Sequence, residues 1–401
     1  MAVVVIGVST TVIGALPLFL TGALAVQMRA ELGFSVTELG IATALFRASG
    51  AMAAVPFGAL ADRIGPTRAM RYAAGISTLT SLSIALLARD IITLYVLLFV
   101  GGSANPLAQS GANLSLSRSV QANRQGLAFG LKQSALPLGS LVAGLAVPLI
   151  ALSLGWRYGF VAAAVLAIWL IVSIPSGEAV AFRTRTKPET TSGTRRLPLF
   201  VLAAGLMVSM MAGSTLTTFT VDSAVASGVA PATAGLLLTA GSVASILVRL
   251  IVGSRADRRE RGHFRTVAGL VAFGSVGYLM LAVGNPYLTM LGVIIAFGLG
   301  WGFNGLFWYA LLRLNRQAPG RITGLVMPGG MLGGFLGPLI FGWLVDSHGY
   351  GFAWNVAAVW GVCGAAIIWL GRRMVIAGLS EQRAGIEGGS APAPEQEAGK
   401  P

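Results

Sequence analysis

Apolar residues fall in long, almost uninterrupted runs, not in the one-sided stripe of an amphipathic surface helix. Each run is about 20 residues long, enough for a helix to cross the ~30 Å hydrocarbon core of a bilayer. Twelve can be drawn, roughly over 3–24, 38–60, 70–88, 91–113, 126–148, 158–174, 198–219, 231–253, 266–284, 287–311, 323–345 and 352–370. The pattern predicts an all-α polytopic membrane protein with twelve transmembrane helices. Only Arg89-Asp90 parts the third run from the fourth, and only Gly284-Asn285-Pro286 parts the ninth from the tenth. The first run lacks the basic stretch that precedes the core of a signal peptide, so it reads as the first span.

Composition narrows the function classes. Hydrophobic residues make up 55% of the 401 and charged residues only 10%. A soluble domain carries about 25% charged residues and needs them on its surface. Soluble enzymes and disordered proteins are therefore excluded. The net charge of +14 would suggest a nucleic-acid partner in a soluble protein, but here the bases sit in short gaps between apolar runs. No nucleic-acid partner is expected. One cysteine (Cys363) and two histidines (His263 and His348) form no metal-ligand cluster and no internal disulfide. There is no Walker A sequence and no catalytic constellation. The chain is read as a non-enzyme without metal or other cofactor.

The bases also set the sidedness. With the N-terminus cytoplasmic, the outer gaps hold only Arg29, Arg89 and Arg157, and the spans themselves hold Arg47, Lys132 and Arg249. Every other base falls in a cytoplasmic gap or tail, as the positive-inside rule requires. Both termini are placed inside, in a bacterial inner membrane. The domains expected are 1–174 and 198–373, each with six spans, joined by a Ser/Thr/Lys/Arg-rich linker over 175–197. The tail 374–401 ends in GGSAPAPEQEAGKP and is expected to be disordered.

The halves repeat each other. Gly58–Gly65 reads GALADRIG after the second span, and Gly253–Gly262 reads GSRADRRERG after the eighth. The fifth and eleventh spans each carry a proline near the middle, Pro137 and Pro338. GWRYGF (Gly155–Phe160) has a loose partner in GYGFAW (Gly349–Trp354). Two repeated six-helix units point to a pseudo-symmetric transporter with its site between them.

On these features the sequence resembles the major facilitator superfamily. The loop signature of that family, Gly-x-Leu-Ala-Asp-Arg-x-Gly followed by bases, is matched at Gly58-Ala59-Leu60-Ala61-Asp62-Arg63-Ile64-Gly65. Pro66-Thr67 then replaces the usual base before Arg68. The resemblance implies the superfamily fold, two pseudo-symmetric six-helix bundles working by alternating access. It also implies a gate holding the cytoplasmic side closed in the outward-facing state. Gly58, Asp62, Arg63 and Arg68 would form it in the first half, and Arg249, Asp257 and Arg258 in the second. The competing reading is that these charges only anchor loops at the interface.

Arg47 lies about 16 Å of helix rise from Gly58, near mid-bilayer. A base at that depth costs several kcal/mol unless it is paired or wetted. No Asp or Glu lies deep in a span; Glu38 and Asp222 sit at outer ends. Arg47 is therefore assigned to a hydrated cavity or an anionic ligand, against snorkelling or bonds to helix carbonyls. Lys132, in GLKQSALPLG, is about 9 Å from the cytoplasmic edge and also open to snorkelling. Asn105, Gln109 and Asn113 share one face of the fourth span, loosened by Pro106. Trp301, Asn304 and Trp308 share a face of the tenth. The family fold lines its central cavity with the first, fourth, seventh and tenth spans, which fits both faces and the hydroxyls Ser214, Thr215, Thr217 and Thr218. Interhelical packing is the alternative for all three sets. The glycines of the eleventh span read as a smooth sliding face.

The substrate expected is a small organic or inorganic anion, taken up with protons as the coupling ion. Proton symport would reduce the cost of moving an anion against a negative-inside potential. The alternative is efflux of hydrophobic or drug-like compounds, with Trp301, Trp308, Phe46 and the methionines as lining. Lipids are the only other partners expected, and the protein is taken to be a monomer.

Overall fold

The structure is a computed structural model describing residues 2–119, 132–175, 196–257, 262–314 and 319–388. Those residues are entirely helical and connecting backbone. In chain order the helices are α1 (Ala2–Ala23), α2 (Ala25–Leu32), α3 (Val36–Ile64), α4 (Pro66–Leu87), α5 (Ile91–Gly102), α6 (Ala104–Ser119) and α7 (Ala135–Ala146). A π-helical turn, Val147–Ala151, prolongs α7. Then come α8 (Trp156–Ser173), α9 (Arg196–Ala226), α10 (Pro231–Asp257), α11 (His263–Ala282), α12 (Pro286–Ile295), α13 (Asn304–Leu312) and α14 (Pro319–Gly388).

Local chemistry explains the starts. Ser35 and Glu38 form a capping box that opens α3, Asp90 accepts from the Thr93 N–H at the start of α5, and Asn285 caps α12. Pro66 and Pro286 occupy first helical positions, where a missing N–H costs nothing. The fourth apolar run is broken at Ser103, one turn before Pro106, whose ring and absent N–H loosen the ladder there.

Ten helical stretches among the described residues are long and apolar enough to cross a membrane. Two departures from twelve have plain causes. The stretch Pro66–Leu87 has the length, 22 residues, but Arg68, Arg71 and its many Ser/Thr positions make it more polar than the others. The last stretch, Ile322–Ala377, is 56 residues long and contains a break at Gly349 (φ 84°, ψ 168°). Gly155 (φ 101°, ψ 156°) adopts the same conformation between α7 and α8. Side chains avoid that region, so glycine is required at both turns, and the loose pairing of GWRYGF with GYGFAW is a real structural repeat. The final helix also runs past Arg373 to Gly388, because no proline or glycine pair interrupts Met374–Glu387; residues 389–401 and the linker 176–195 lie outside the described residues.

The core has three parts among the described residues. One cluster draws on both halves of the chain and includes Phe19, Leu24, Phe219, Phe341 and Trp354. A second (Leu202, Phe264, Phe307, Val326) belongs wholly to the C-terminal half, and a third (Ala61, Ala69, Ala73, Leu107) wholly to the N-terminal half. The shared cluster includes Phe219, Val221 and Ala224 around Asp222 at one end of the bundle, and the third cluster includes Ala61 beside Asp62 at the other. We refer to these as the Asp222 end and the Asp62 end.

Candidate substrate site along the seam

The halves meet where α3 packs on α14, α7 on α10 and α1 on α9. Backbones touch closely at the Asp222 end. A Cβ placed on Gly40 of α3 would lie 2.3 Å from the Pro338 carbonyl oxygen, and one on Gly22 of α1 would lie 2.6 Å from that of Thr217. Gly144 and Gly235 are equally tight between α7 and α10. Polar bonds reinforce the contact. The Asp346 carboxylate on α14 accepts from the Val36 and Thr37 N–H groups at 3.3 and 2.7 Å, capping the start of α3 from the other half. Arg29 pairs with Asp222, which is 1% exposed and also accepts from the Tyr350 hydroxyl.

Two turns along the same faces the seam has parted. Gly334 still touches Arg47, but Met327, seven residues earlier, is 43% exposed, and Gly324 has nothing within 4 Å of a placed Cβ. Asp62, Arg63 and Arg68 are exposed at this end, and Asp62 has no ion partner among the described residues. The Gly58 face meets only Ser110 of its own half, at 3.8 Å. The Asp257 side chain and Arg258 lie outside what is described.

Two bases, Arg47 and Arg249, lie on the seam between these ends, and a third, Lys132, is buried within the N-terminal half. Arg47 is half-buried. Its Nη2 donates to Thr217 Oγ1 of α9 at 3.5 Å, and its buried Nε has no partner. It therefore faces the other half of the protein, not lipid. Lys132, 4% exposed, donates to Gln109 Oε1 of α6. Arg249 of α10 donates from Nη1 to the Gln133 carbonyl at 2.8 Å and from Nη2 to the Trp301 carbonyl at 3.0 Å, so it too bridges the halves. Its guanidinium carbon sits 5.3 Å from the Trp301 ring centroid. The Trp301 carbonyl is available because a π-turn, Ala296–Trp301, interrupts the helix there. No carboxylate pairs with any of the three bases among the described residues; both ion pairs, Arg29–Asp222 and Arg157–Glu31, lie at the Asp222 end.

The structure thus brings together Lys132 with Gln109, and Arg249 with Trp301. Asn304 donates to Met210 Sδ at 3.6 Å and leaves a buried, unpartnered Oδ1. Asn105 is half-buried beside Gly14 of α1, whereas Asn113 is exposed. Trp308 packs edge-on against Phe307 in the C-terminal cluster, away from the seam bases. The hydroxyls of Ser214, Thr215, Thr217 and Thr218 bond to carbonyls of their own helix. Arg249 stands with the seam bases and not with the exposed charges of the Asp62 end.

Sequence reasoning missed the bonds at the Asp222 end. Trp156 Nε1 donates to Glu31 at 2.6 Å and Arg157 pairs with the same carboxylate at 2.8 Å. The hydrogen bond from Arg157 holds the Glu31 carboxyl below its ordinary range. Tyr350 and Asp222 repeat this motif in the other half. In each, an aromatic residue that follows a positive-φ glycine donates to an acid at the end of the half's first helix. The signal was present in the aligned Gly155-Trp156 and Gly349-Tyr350 pairs.

Long apolar helices, a repeated half and unpaired bases on a seam open at one end define a multi-pass membrane transporter. The Major Facilitator Superfamily profile matches residues 2–338, and the chain belongs to that family. Membership carries secondary transport by alternating access as the general mechanism. Two relatives, each described as an uncharacterized MFS-type transporter, come from Mycobacterium tuberculosis strains CDC 1551 / Oshkosh and ATCC 25618 / H37Rv. Each is 24% identical over 322 residues, spanning 78% of this chain and 72% of its own length. Among solved structures the fold is similar to a bacterial homolog of the human lysosomal transporter Spinster, captured in an inward-facing and occupied conformation. The TM-score is 0.74 at 15% identity, over 94% of this chain and 97% of that one.

Proposed function

We propose that the protein is a twelve-span carrier of two six-helix bundles that takes up a small organic or inorganic anion together with protons. The polar stretch Pro66–Leu87 and the two arms of α14 on either side of Gly349 complete the twelve crossings. The Asp62 end faces the cytoplasm, as the distribution of bases requires, and both termini lie on that side. In this orientation the structure is closed outward and open inward. Asp62, Arg63 and Arg68, unengaged here, close the cytoplasmic side when the carrier turns outward.

The anion assignment rests on one observation: Arg47 sits on the seam with the neutral Thr217 hydroxyl as its one partner among the described residues. A base at mid-membrane without a carboxylate is stabilised by water and by an anionic guest. Gln109 positions Lys132 on the same path. The aromatic residues that an efflux pocket would use are occupied otherwise, Trp301 being 5% exposed beneath Arg249.

The test is a thermal-shift series on the purified full chain with acetate, succinate, inorganic phosphate and tetraphenylphosphonium. At least one of the anions raises Tm, and Arg47→Ala removes that rise while leaving the unliganded Tm within a few degrees. Stabilisation by tetraphenylphosphonium alone would replace this reading with efflux of apolar cations.

A further inference from the structure

We infer that Arg249 is a substrate-binding residue forming the second pole of the site, and that the carried solute bears two negative charges. The inference rests on the anion reading above and deepens it.

The first ground is place. Arg47 and Arg249 belong to corresponding helices of the repeat, α3 and α10, each ending in the Gly-x-x-x-Asp-Arg signature. Arg47 meets Thr217 of α9 directly, and Arg249 lies over Trp301, whose ring edge is 3.1 Å from a Cβ placed on Gly213 of the same helix. Gly213 and Thr217 are one helical turn apart, about 6 Å of rise. One guanidinium thus comes to the seam from each half of the protein, Arg47 against α9 and Arg249 across the Trp301 ring that packs on it.

The second ground is bonding. Arg249 is held by two backbone carbonyls, of Gln133 and Trp301, and its Nε is buried without a partner. Carbonyls are neutral acceptors. A carboxylate or phosphate offers charge-assisted bonds roughly twice as strong, in the forked geometry that a guanidinium matches. The carbonyl contacts are thus a resting position that an anion can displace. Arg47 shows the same deficit, with its Nε unpartnered and one long bond to a hydroxyl.

The third ground is charge. Arg47 and Arg249 place two positive charges on the seam, with Lys132 buried against Gln109 of the N-terminal half, and none of the three pairs with a carboxylate among the described residues. A monoanion neutralises one of them. A dianion engages both guanidinium poles at once. It also ties α3 to α10, and so couples its own binding to the approach of the two halves. Among the described residues Arg249 bonds to the Gln133 and Trp301 carbonyls and not to Asp62.

The experiment compares matched probes on the full chain in detergent: acetate and butyrate against malonate, succinate and inorganic phosphate, read by titration thermal shift. Wild type is expected to bind its best dianion at least tenfold more tightly than any monocarboxylate. Arg249→Gln removes that tenfold advantage, whereas Arg249→Lys keeps part of it. Arg47→Gln weakens both classes. Equal binding of mono- and dianions by wild type, with Arg249→Gln changing neither, overturns the second pole and leaves the anion reading standing. Binding of no anion at all overturns both. A variant Arg249→Gln with intact dianion preference but altered exposure of the Asp62 end returns Arg249 to the gate and sinks the inference.

Discussion

At the Asp222 end the two halves share one apolar cluster, press glycine against carbonyl oxygen and exchange an ion pair and a helix cap. At the Asp62 end Ala61 belongs to a cluster confined to the N-terminal half, and the charges beside it face solvent. The same pair of helices, α3 and α14, takes part in both arrangements. Along one helix face the contact passes from Gly40 against Pro338, through Arg47 against Gly334, to the exposed Met327. The difference teaches where the stored preference for this state resides. Small residues let backbones approach at one end, and carboxylates lock them there. The signature charges at the other end are exposed, and Asp62 has no ion partner among the described residues.

Substitutions at equivalent depths should break this contrast unequally. The largest effect is expected at Gly40. Valine there meets the Pro338 carbonyl, and overpacking of that kind costs about 1–3 kcal/mol. Gly40→Val should hold the Asp222 end apart, seen as a longer distance between spin labels at Ala30 and Ala226. Gly324→Ala, with open space around it, should change neither that distance nor Tm. Next comes Asp222→Asn, which strips Arg29 of its ion partner. About 1–3 kcal/mol is expected, with Arg29 being one-third exposed, and the Ala30–Ala226 distribution should broaden toward the open form. Asp346→Asn should cost about 1 kcal/mol, since an amide oxygen still accepts one of the two α3 N–H bonds but the charge at the helix start is gone.

The smallest effect belongs to Glu31, whose exposed pair with Arg157 contributes about 0.2–1 kcal/mol. Because the folded carboxyl is held below its ordinary range, the contribution is present at neutral pH and disappears as pH falls through that lowered value. The Tm gap between wild type and Glu31→Gln should therefore be visible at pH 7 and close as pH falls below the ordinary carboxylate range.

Hydropathy and the repeated motifs made the helical membrane fold and the Gly155/Gly349 repeat legible in the sequence. These follow from free energies of residues in lipid, which are properties of single positions. Partners across the seam were not legible. Asp222 read as an outer-end acid, yet it is buried between Arg29 and Tyr350, because helices distant in sequence meet there. Arg249 read as a gate charge by its nearness to Asp257. Its partners among the described residues, Gln133 and Trp301, come from a different helix pair and from a π-turn that no periodicity reveals. The stretch Pro66–Leu87 escaped the apolar measure for the opposite reason. Arg68, Arg71 and the Ser/Thr positions of Pro66–Leu87 face protein as well as lipid, and Ser77 bonds to the Ile13 carbonyl of α1.

The seam account is tested most directly by pulsed electron–electron distance measurements on two label pairs, Ala30–Ala226 and Ala59–Gly324, in a Cys363→Ser background. Wild type should be short at the first pair and long at the second. In Asp222→Asn/Asp346→Asn the first should lengthen while the second shortens in the same molecules. Lengthening at the first pair with no change at the second would contradict a seam that closes at one end as it opens at the other.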